Sequence, residues 1–130
     1  MNRRVARIKA IQSLYQVEMT GVSSEEAITT VLNEGEEKTP FLHSIVNGTL
    51  EHLEEIDQLL EGALQNWSIS RVSRVDRAIL RIATYEMKWL DDIPINVSIN
   101  EAIDLAKGFN GEEEPGKFVN GVLSKLAKSL

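Results

Sequence analysis

Apolar residues return every three to four positions along almost the whole chain, the spacing of helices that each bury one face. No stretch alternates in the manner of a half-buried strand. The first segment predicts a helix from about Asn2 to Met19, with Val5, Ile8, Ile11 or Gln12, and Tyr15 on one stripe and Leu14 beside it. Gly21 stops it. Ser23-Ser24-Glu25-Glu26 has the form of a capping box, with Val22 and Ala27 placed as a hydrophobic staple, and starts a short helix that buries Ile28, Val31 and Leu32 and ends at Gly35.

Thr39-Pro40 joins an N-cap to a proline at the first helical position and opens a long helix carrying Leu42, Ile45, Val46, Thr49, Leu50, Leu53, Ile56 and Leu60 inward. Gly62 is the expected kink or division of that helix, before Leu64 and Trp67. Ser68-Ile69-Ser70 reads as a connector. A further helix is expected from Val72 to Leu90, facing Val72, Val75, Ile79, Ile82, Ala83, Met87 and Leu90 inward, with Pro94 ending that region. Ser98-Ile99-Asn100-Glu101 forms a second capping box, opening a helix that closes at Gly108. The last helix starts near Pro115 and carries Phe118, Val119, Val122, Leu123 and Leu126. The expected class is all-α, six or seven helices joined by short connections.

A length of 130 residues fits one domain. With no cysteine, neither disulfides nor thiolate metal sites hold it together. No apolar run approaches the ~20 residues of a membrane span, and the basic start MNRRVARIKA is followed by no signal-peptide core, so the expected location is cytoplasmic. His43 and His52 stand roughly 180° apart on the long helix at ~100° per residue and do not form one metal site by themselves. Paired carboxylates such as Glu54-Glu55 have no accompanying base. Catalysis, a cofactor and a metal are not expected.

The net charge of −6 argues against nucleic acid until its distribution is read. All seven arginines fall in two stretches, Arg3, Arg4 and Arg7, then Arg71, Arg74, Arg77 and Arg81. Residues 18–61, between them, carry eleven acids and one base, Lys38. Screening over about 8 Å lets an acidic chain present a local basic face. Arginines three and four apart stack on one helix face, where their forked donors reach successive phosphates and their planes stack on unpaired bases. Cations at a helix N-terminus oppose its dipole, so stability does not explain the first set. The second set covers an arc of roughly 120° and suits an ion-pair network as well as a ligand site. Lys117-Phe118-Val119-Asn120-Gly121 combines a cation, a ring and an amide, a set suited to single-stranded nucleic acid, although a Phe at helical spacing also suits a core. Gly121 within a helix points to a close neighbour.

Taken together, these segments resemble the N-utilisation substance B (NusB) family. The residues that carry the resemblance are Arg3-Arg4-Val5-Ala6-Arg7 with Ala10 and Gln12-Ser13-Leu14-Tyr15, then Asp76-Arg77-Ala78-Ile79-Leu80-Arg81-Ile82-Ala83-Thr84-Tyr85-Glu86. Pro94 through Asn100-Glu101-Ala102-Ile103-Asp104-Leu105-Ala106-Lys107, and Lys117-Phe118-Val119-Asn120-Gly121-Val122-Leu123, complete it. The resemblance implies two helical subdomains, about 1–66 and 67–130. It implies binding to the boxA element of nascent ribosomal RNA jointly with NusE, the small-subunit ribosomal protein S-ten, in a complex that loads onto transcribing RNA polymerase and suppresses termination. The RNA contacts implied are Arg3, Arg4, Arg7, Arg81, Lys117 and Phe118, and the partner contacts Asp76, Arg74 and Glu114. The start of helix one and the Lys117-Phe118 helix are expected side by side, forming one groove. Val5 stands where relatives can carry a further arginine, and the loop Glu112-Glu113-Glu114-Pro115-Gly116 departs from the family pattern. Some relatives form homodimers. The alternatives are an accessory domain like that of ribosomal RNA cytosine methyltransferases, for which no strand-turn-helix cofactor unit is seen, and an interaction scaffold without RNA. A DNA-binding helix-turn-helix is not evident.

Overall fold

In a computed structural model that describes residues 1–65 and 68–130, the chain forms α1 (Arg3–Thr20), α2 (Ser24–Val31), α3 (Pro40–Glu51), α4 (Leu53–Ala63), a single 3₁₀ turn (Ile69–Arg71), α5 (Arg74–Trp89), α6 (Ile95–Asn110) and α7 (Glu114–Ala127). The expected all-α class of six or seven helices is met, with seven α-helices among the described residues. Local chemistry sets most boundaries. Asn2, Ser23, Thr39 and Ser73 accept at Val5, Glu26, Leu42 and Asp76 N–H and so cap α1, α2, α3 and α5. Gly21 and Gly111 end α1 and α6 in the left-handed conformation that glycine adopts without penalty.

Helix α5 is the hub: it packs against α1, α3, α4, α6 and α7. Helices α1, α2 and α3 pack on one another at one side, and α4, α6 and α7 gather at the other. One continuous apolar core joins them, from Ala10, Leu42 and Ile45 through Leu80 and Ala83 to Leu123 and Leu126. The expected subdomain division near residue 66, and the packing of Trp67, lie outside the described residues; α4, which precedes that point, packs on α5 and α7.

Several expected boundaries move. The long helix breaks at His52 rather than at Gly62, which stays helical in α4. The His52 ring stacks on Trp89 at 4.2 Å between centroids and lies parallel to Tyr85 at 6.0 Å, so α3 and α4 part where a side chain is drawn onto α5. Helix α2 ends at Val31, four residues before Gly35, because Glu36 folds back to accept from Asn33 N–H at 2.7 Å and makes a turn there. Helix α6 begins at Ile95, directly after Pro94, and runs through Gly108. Ser98 does not cap it; the Ser98 hydroxyl is buried and donates to Glu86 Oε1 at 2.9 Å.

The buried face of α1 also differs from the expected stripe. Ala6, Ala10, Ile11, Ser13 and Leu14 turn inward together with Arg7 and Lys9, while Val5, Ile8 and Gln12 are half-buried and Tyr15 is exposed. Small residues three and four apart let the helix axis approach α3 and α5 closely, and they outweigh the bulkier stripe.

Candidate nucleic-acid interface

The N-terminal arginines divide into two kinds. Arg3 is half exposed, 3.5 Å from Asp92, and its guanidinium lies 4.5 Å over the centre of the Phe41 ring. Arg4 pairs with Glu101 and, at 3.1 Å, with Asp104 on α6; the hydrogen bond to Glu101 raises its pKa above the ordinary arginine value. Arg7 is different. Its side chain is 4% exposed and forks onto both oxygens of Glu86, at 2.9 and 2.7 Å, while also facing Phe41 at 5.2 Å. An arginine enclosed in this way offers no donor to RNA, and Arg7 leaves the set of contacts implied by the family pattern.

The second arginine set resolves largely into ion pairs. Arg81 forks onto Asp57 at 2.9 and 2.8 Å and is mostly covered, so it too leaves the RNA set. Arg77 is buried; it pairs with Glu18 and donates to the carbonyls of Ile69, Ser70 and Val72. Arg74 is half exposed, 3.8 Å from Glu18. Arg71 is exposed at the end of the 3₁₀ turn.

On α7, Lys117 is exposed, with Glu114 at 3.4 Å as its carboxylate neighbour. Phe118 is half-buried: it packs on the edge of the core and lines a surface cavity of about 250 Å³ with Arg71, Val72, Ser73 and Asp76. The ring is thus part of the core's edge and part of the surface. The single groove expected between the start of α1 and this segment does not form. Helix α6 stands between, giving Asp104 to Arg4 on one side and Ile103 and Lys107 to Gly116 on the other. Gly121 has open space around it instead of a close neighbour. It sits mid-way along an exposed polar face of α7 made by Lys117, Asn120, Ser124 and Lys125, which the capping residue Lys128 extends.

The partner candidates lie where α5 begins. Asp76 is half-buried and accepts from Asn110 Nδ2 at 3.0 Å, which brings the end of α6 there. Glu18 brings the end of α1 there through Arg74 and Arg77. Glu114 is 80% exposed at the start of α7. The same end of the bundle displays Tyr15, Met19 and Phe109 as exposed large apolar side chains, and Ile8, Phe109 and Leu105 line a cavity of about 370 Å³ flanked by Arg4 and Asp104. Among the described residues no three potential metal ligands gather, and no helix is long and apolar enough to cross a membrane.

Residues 4–128 match the model of the NusB family. The chain belongs to the NusB family. It is 54% identical over 129 residues, 99% of this chain and 96% of the other, to the transcription antitermination protein NusB of Halalkalibacterium halodurans. Its fold is similar to that of T. maritima NusB, at 40% identity and a TM-score of 0.88 over 98% of this chain and 92% of that one. It is also similar to a chain in a crystal structure of antitermination factors NusB and NusE in complex with double-stranded RNA, at 31% identity and a TM-score of 0.86, covering 98% and 97% of the two chains.

Three residues central to this NusB-family geometry escaped sequence reasoning. Glu86 had a signal: it is an acid on the inward side of α5, between Ala83 and Met87. Phe41 had only its apolar type. Arg71 stands in a stripe of four arginines, and nothing in its spacing separates it from its paired neighbours.

Proposed function

We propose that this chain acts as a transcription antitermination factor, a binding protein and not an enzyme, which takes the boxA element of nascent ribosomal RNA together with NusE in the cytoplasm. The observation that carries the reading is the likeness, over nearly the whole chain, to NusB bound to NusE and RNA. The complex then joins transcribing RNA polymerase.

Arg3 and Arg4, at the free start of α1, and Lys117 with Phe118, on α7, supply the RNA contacts. The carboxylate neighbours of Arg3 and Lys117, Asp92 and Glu114, are 70% and 80% exposed, pairs that water and salt weaken and that a phosphate displaces at small cost. Arg4, by contrast, reaches RNA from a pair with the more covered Glu101. The strand crosses α6 between the two groups. NusE docks at the end of the bundle where α5 begins, against Arg74, Glu114 and the apolar side chains of Tyr15, Met19 and Phe109, with Asp76 at the seam between partner and RNA. An apolar patch rimmed by charge is what a protein partner covers.

Calorimetry of boxA RNA, NusE and this protein in binary and ternary mixtures tests the reading. The expected result is direct association with NusE and tighter RNA binding by the pair than by this chain alone, with the same factor by which RNA strengthens the protein contact. No association with NusE at micromolar concentrations and low salt overturns it.

A further inference from the structure

Six of the seven arginines have a carboxylate within 4.0 Å: Arg3 with Asp92, Arg4 with Glu101, Arg7 with Glu86, Arg74 and Arg77 with Glu18, and Arg81 with Asp57. Arg71 has none among the described residues, although the chain carries twenty acids. On so acidic a protein, a guanidinium with no carboxylate beside it among the described residues is a donor fork open to an outside acceptor.

The backbone beneath Arg71 is held from both sides. Ile69 N–H donates to Glu61 Oε1 at 2.8 Å, and the Arg77 guanidinium gathers the carbonyls of Ile69, Ser70 and Val72 at 3.1 to 3.4 Å. The turn is thus fixed before any ligand arrives. Arg71 forms one wall of the 250 Å³ cavity, and Phe118 contributes an aromatic side chain. Asp76 completes it. Its Oδ1 is committed to Asn110, and its Oδ2 has no protein partner among the described residues. Exposed Lys117 sits one residue from Phe118.

We infer that this cavity is a nucleobase pocket: Phe118 and Arg71 hold one unpaired base of the bound RNA between them, and the open Asp76 carboxylate oxygen accepts from the base's amino group. An aromatic ring and a guanidinium plane both stack on bases. A carboxylate accepts from an exocyclic amine, as it does from cytosine N4; uracil has no amino group and offers only its N3–H, flanked on both sides by carbonyl oxygens that the carboxylate repels. The occupant is therefore an amino-bearing base, guanine, adenine or cytosine, in preference to uracil. The inference rests on the RNA-binding reading above and adds a selectivity element to it.

The test is fluorescence anisotropy with single-stranded boxA RNA and a series of the same oligonucleotide carrying one abasic site at each position in turn. The parent protein is expected to bind the intact RNA and to lose roughly 5- to 100-fold at one position. Arg71→Ala, whose fold should be unchanged because the side chain is exposed and has no carboxylate partner among the described residues, is expected to bind intact RNA and that abasic RNA alike. Asp76→Asn is expected to erase the preference for an amino-bearing base over uracil at the same position. Failure of the parent to bind any of the RNAs overturns the RNA-binding reading and this inference with it. Binding without an Arg71-dependent position, or a uniform loss across the series in Arg71→Ala, overturns the pocket alone.

Discussion

Arg7 on α1 and Glu86 on α5 form a two-bond fork, 2.9 and 2.7 Å, with side chains only 4% and 2% exposed. Ser98 adds a third bond from α6, and Phe41 covers the guanidinium from α3. The pair joins four helices at one point. Removing one partner leaves an uncompensated buried charge, which costs about 3–5 kcal/mol. Arg7→Ala is therefore expected to lower stability by that order, measured by urea unfolding. Arg7→Met combined with Glu86→Leu should recover most of the loss. If Arg7→Ala unfolds like the parent, the pair is not structural.

Gly48 on α3 lies under the ring of Tyr85. A Cβ there would fall inside the ring's contact distance, so the ring or the helix must move. Gly48→Ala is expected to destabilise by about 1–3 kcal/mol, as overpacking does, despite alanine's better helix propensity. Thermal unfolding of Gly48→Ala with Gly62→Ala as a control, where space is open, decides it: the control should be neutral or stabilising.

Arg3 and Lys117 are exposed, and their loss is expected to act on RNA alone. Each phosphate contact removed by Arg3→Ala or Lys117→Ala should flatten the log–log salt dependence of RNA binding by about 0.7, with no change in Tm. The comparison with Arg7→Ala separates the two kinds of arginine. A double variant that binds boxA with the parent's slope would remove these residues from the interface.

The outward stripe of α1 is expected to serve the partner. Ile8→Glu places a charge in the cavity shared with Phe109, and should weaken NusE binding at least tenfold while the fold survives, since Ile8 is only half-buried. Calorimetry without RNA is the measurement. Unchanged NusE affinity would move the partner to another face.

Glu36 carries a pH dependence whose sign follows from its bonds. The Asn33 N–H, and after it the Lys9 ammonium, hold its carboxyl below the usual glutamate value. A folded pKa lower than the unfolded one gives stabilisation that is present above the unfolded value and is lost as pH falls through the folded one. The turn after α2 should loosen below about pH 4 and not in the neutral range. Hydrogen exchange at Asn33 should follow it, and Glu36→Gln should remove the pH dependence.

The helices were legible because periodicity and caps are local, and Asn2, Ser23, Thr39 and Gly21 act where a sequence reader places them. What misled was competition between local and distant demands. Ser98 has the right neighbours for a cap, but a buried carboxylate twelve residues earlier takes its hydroxyl. Val5, Ile8 and Tyr15 form the bulkier stripe of α1, yet Ala6, Ala10 and Ser13 face the core because close approach favours small residues. Of the arginines implied as RNA contacts, Arg7 and Arg81 are indistinguishable in sequence from Arg3. Only the positions of Glu86 and Asp57 in space tell them apart.

The placement of α5 as hub also sets an order of events during synthesis. Helix α5 ends at Trp89, 69 residues after α1 ends at Thr20, and at about 5–20 residues per second the ribosome takes roughly 3–14 s to cover that distance. Until α5 arrives, α1, α2 and α3 have only one another to pack on, the faces that α1 and α3 turn to α5 stay open, and Arg7 has no Glu86. A nascent chain at that stage exposes Arg3, Arg4 and Arg7 together, three cations with only local partners. The arrival of α5 withdraws one of them into the interior. The mature charge pattern of the N-terminus is thus fixed late in translation, by a helix from the far half of the chain.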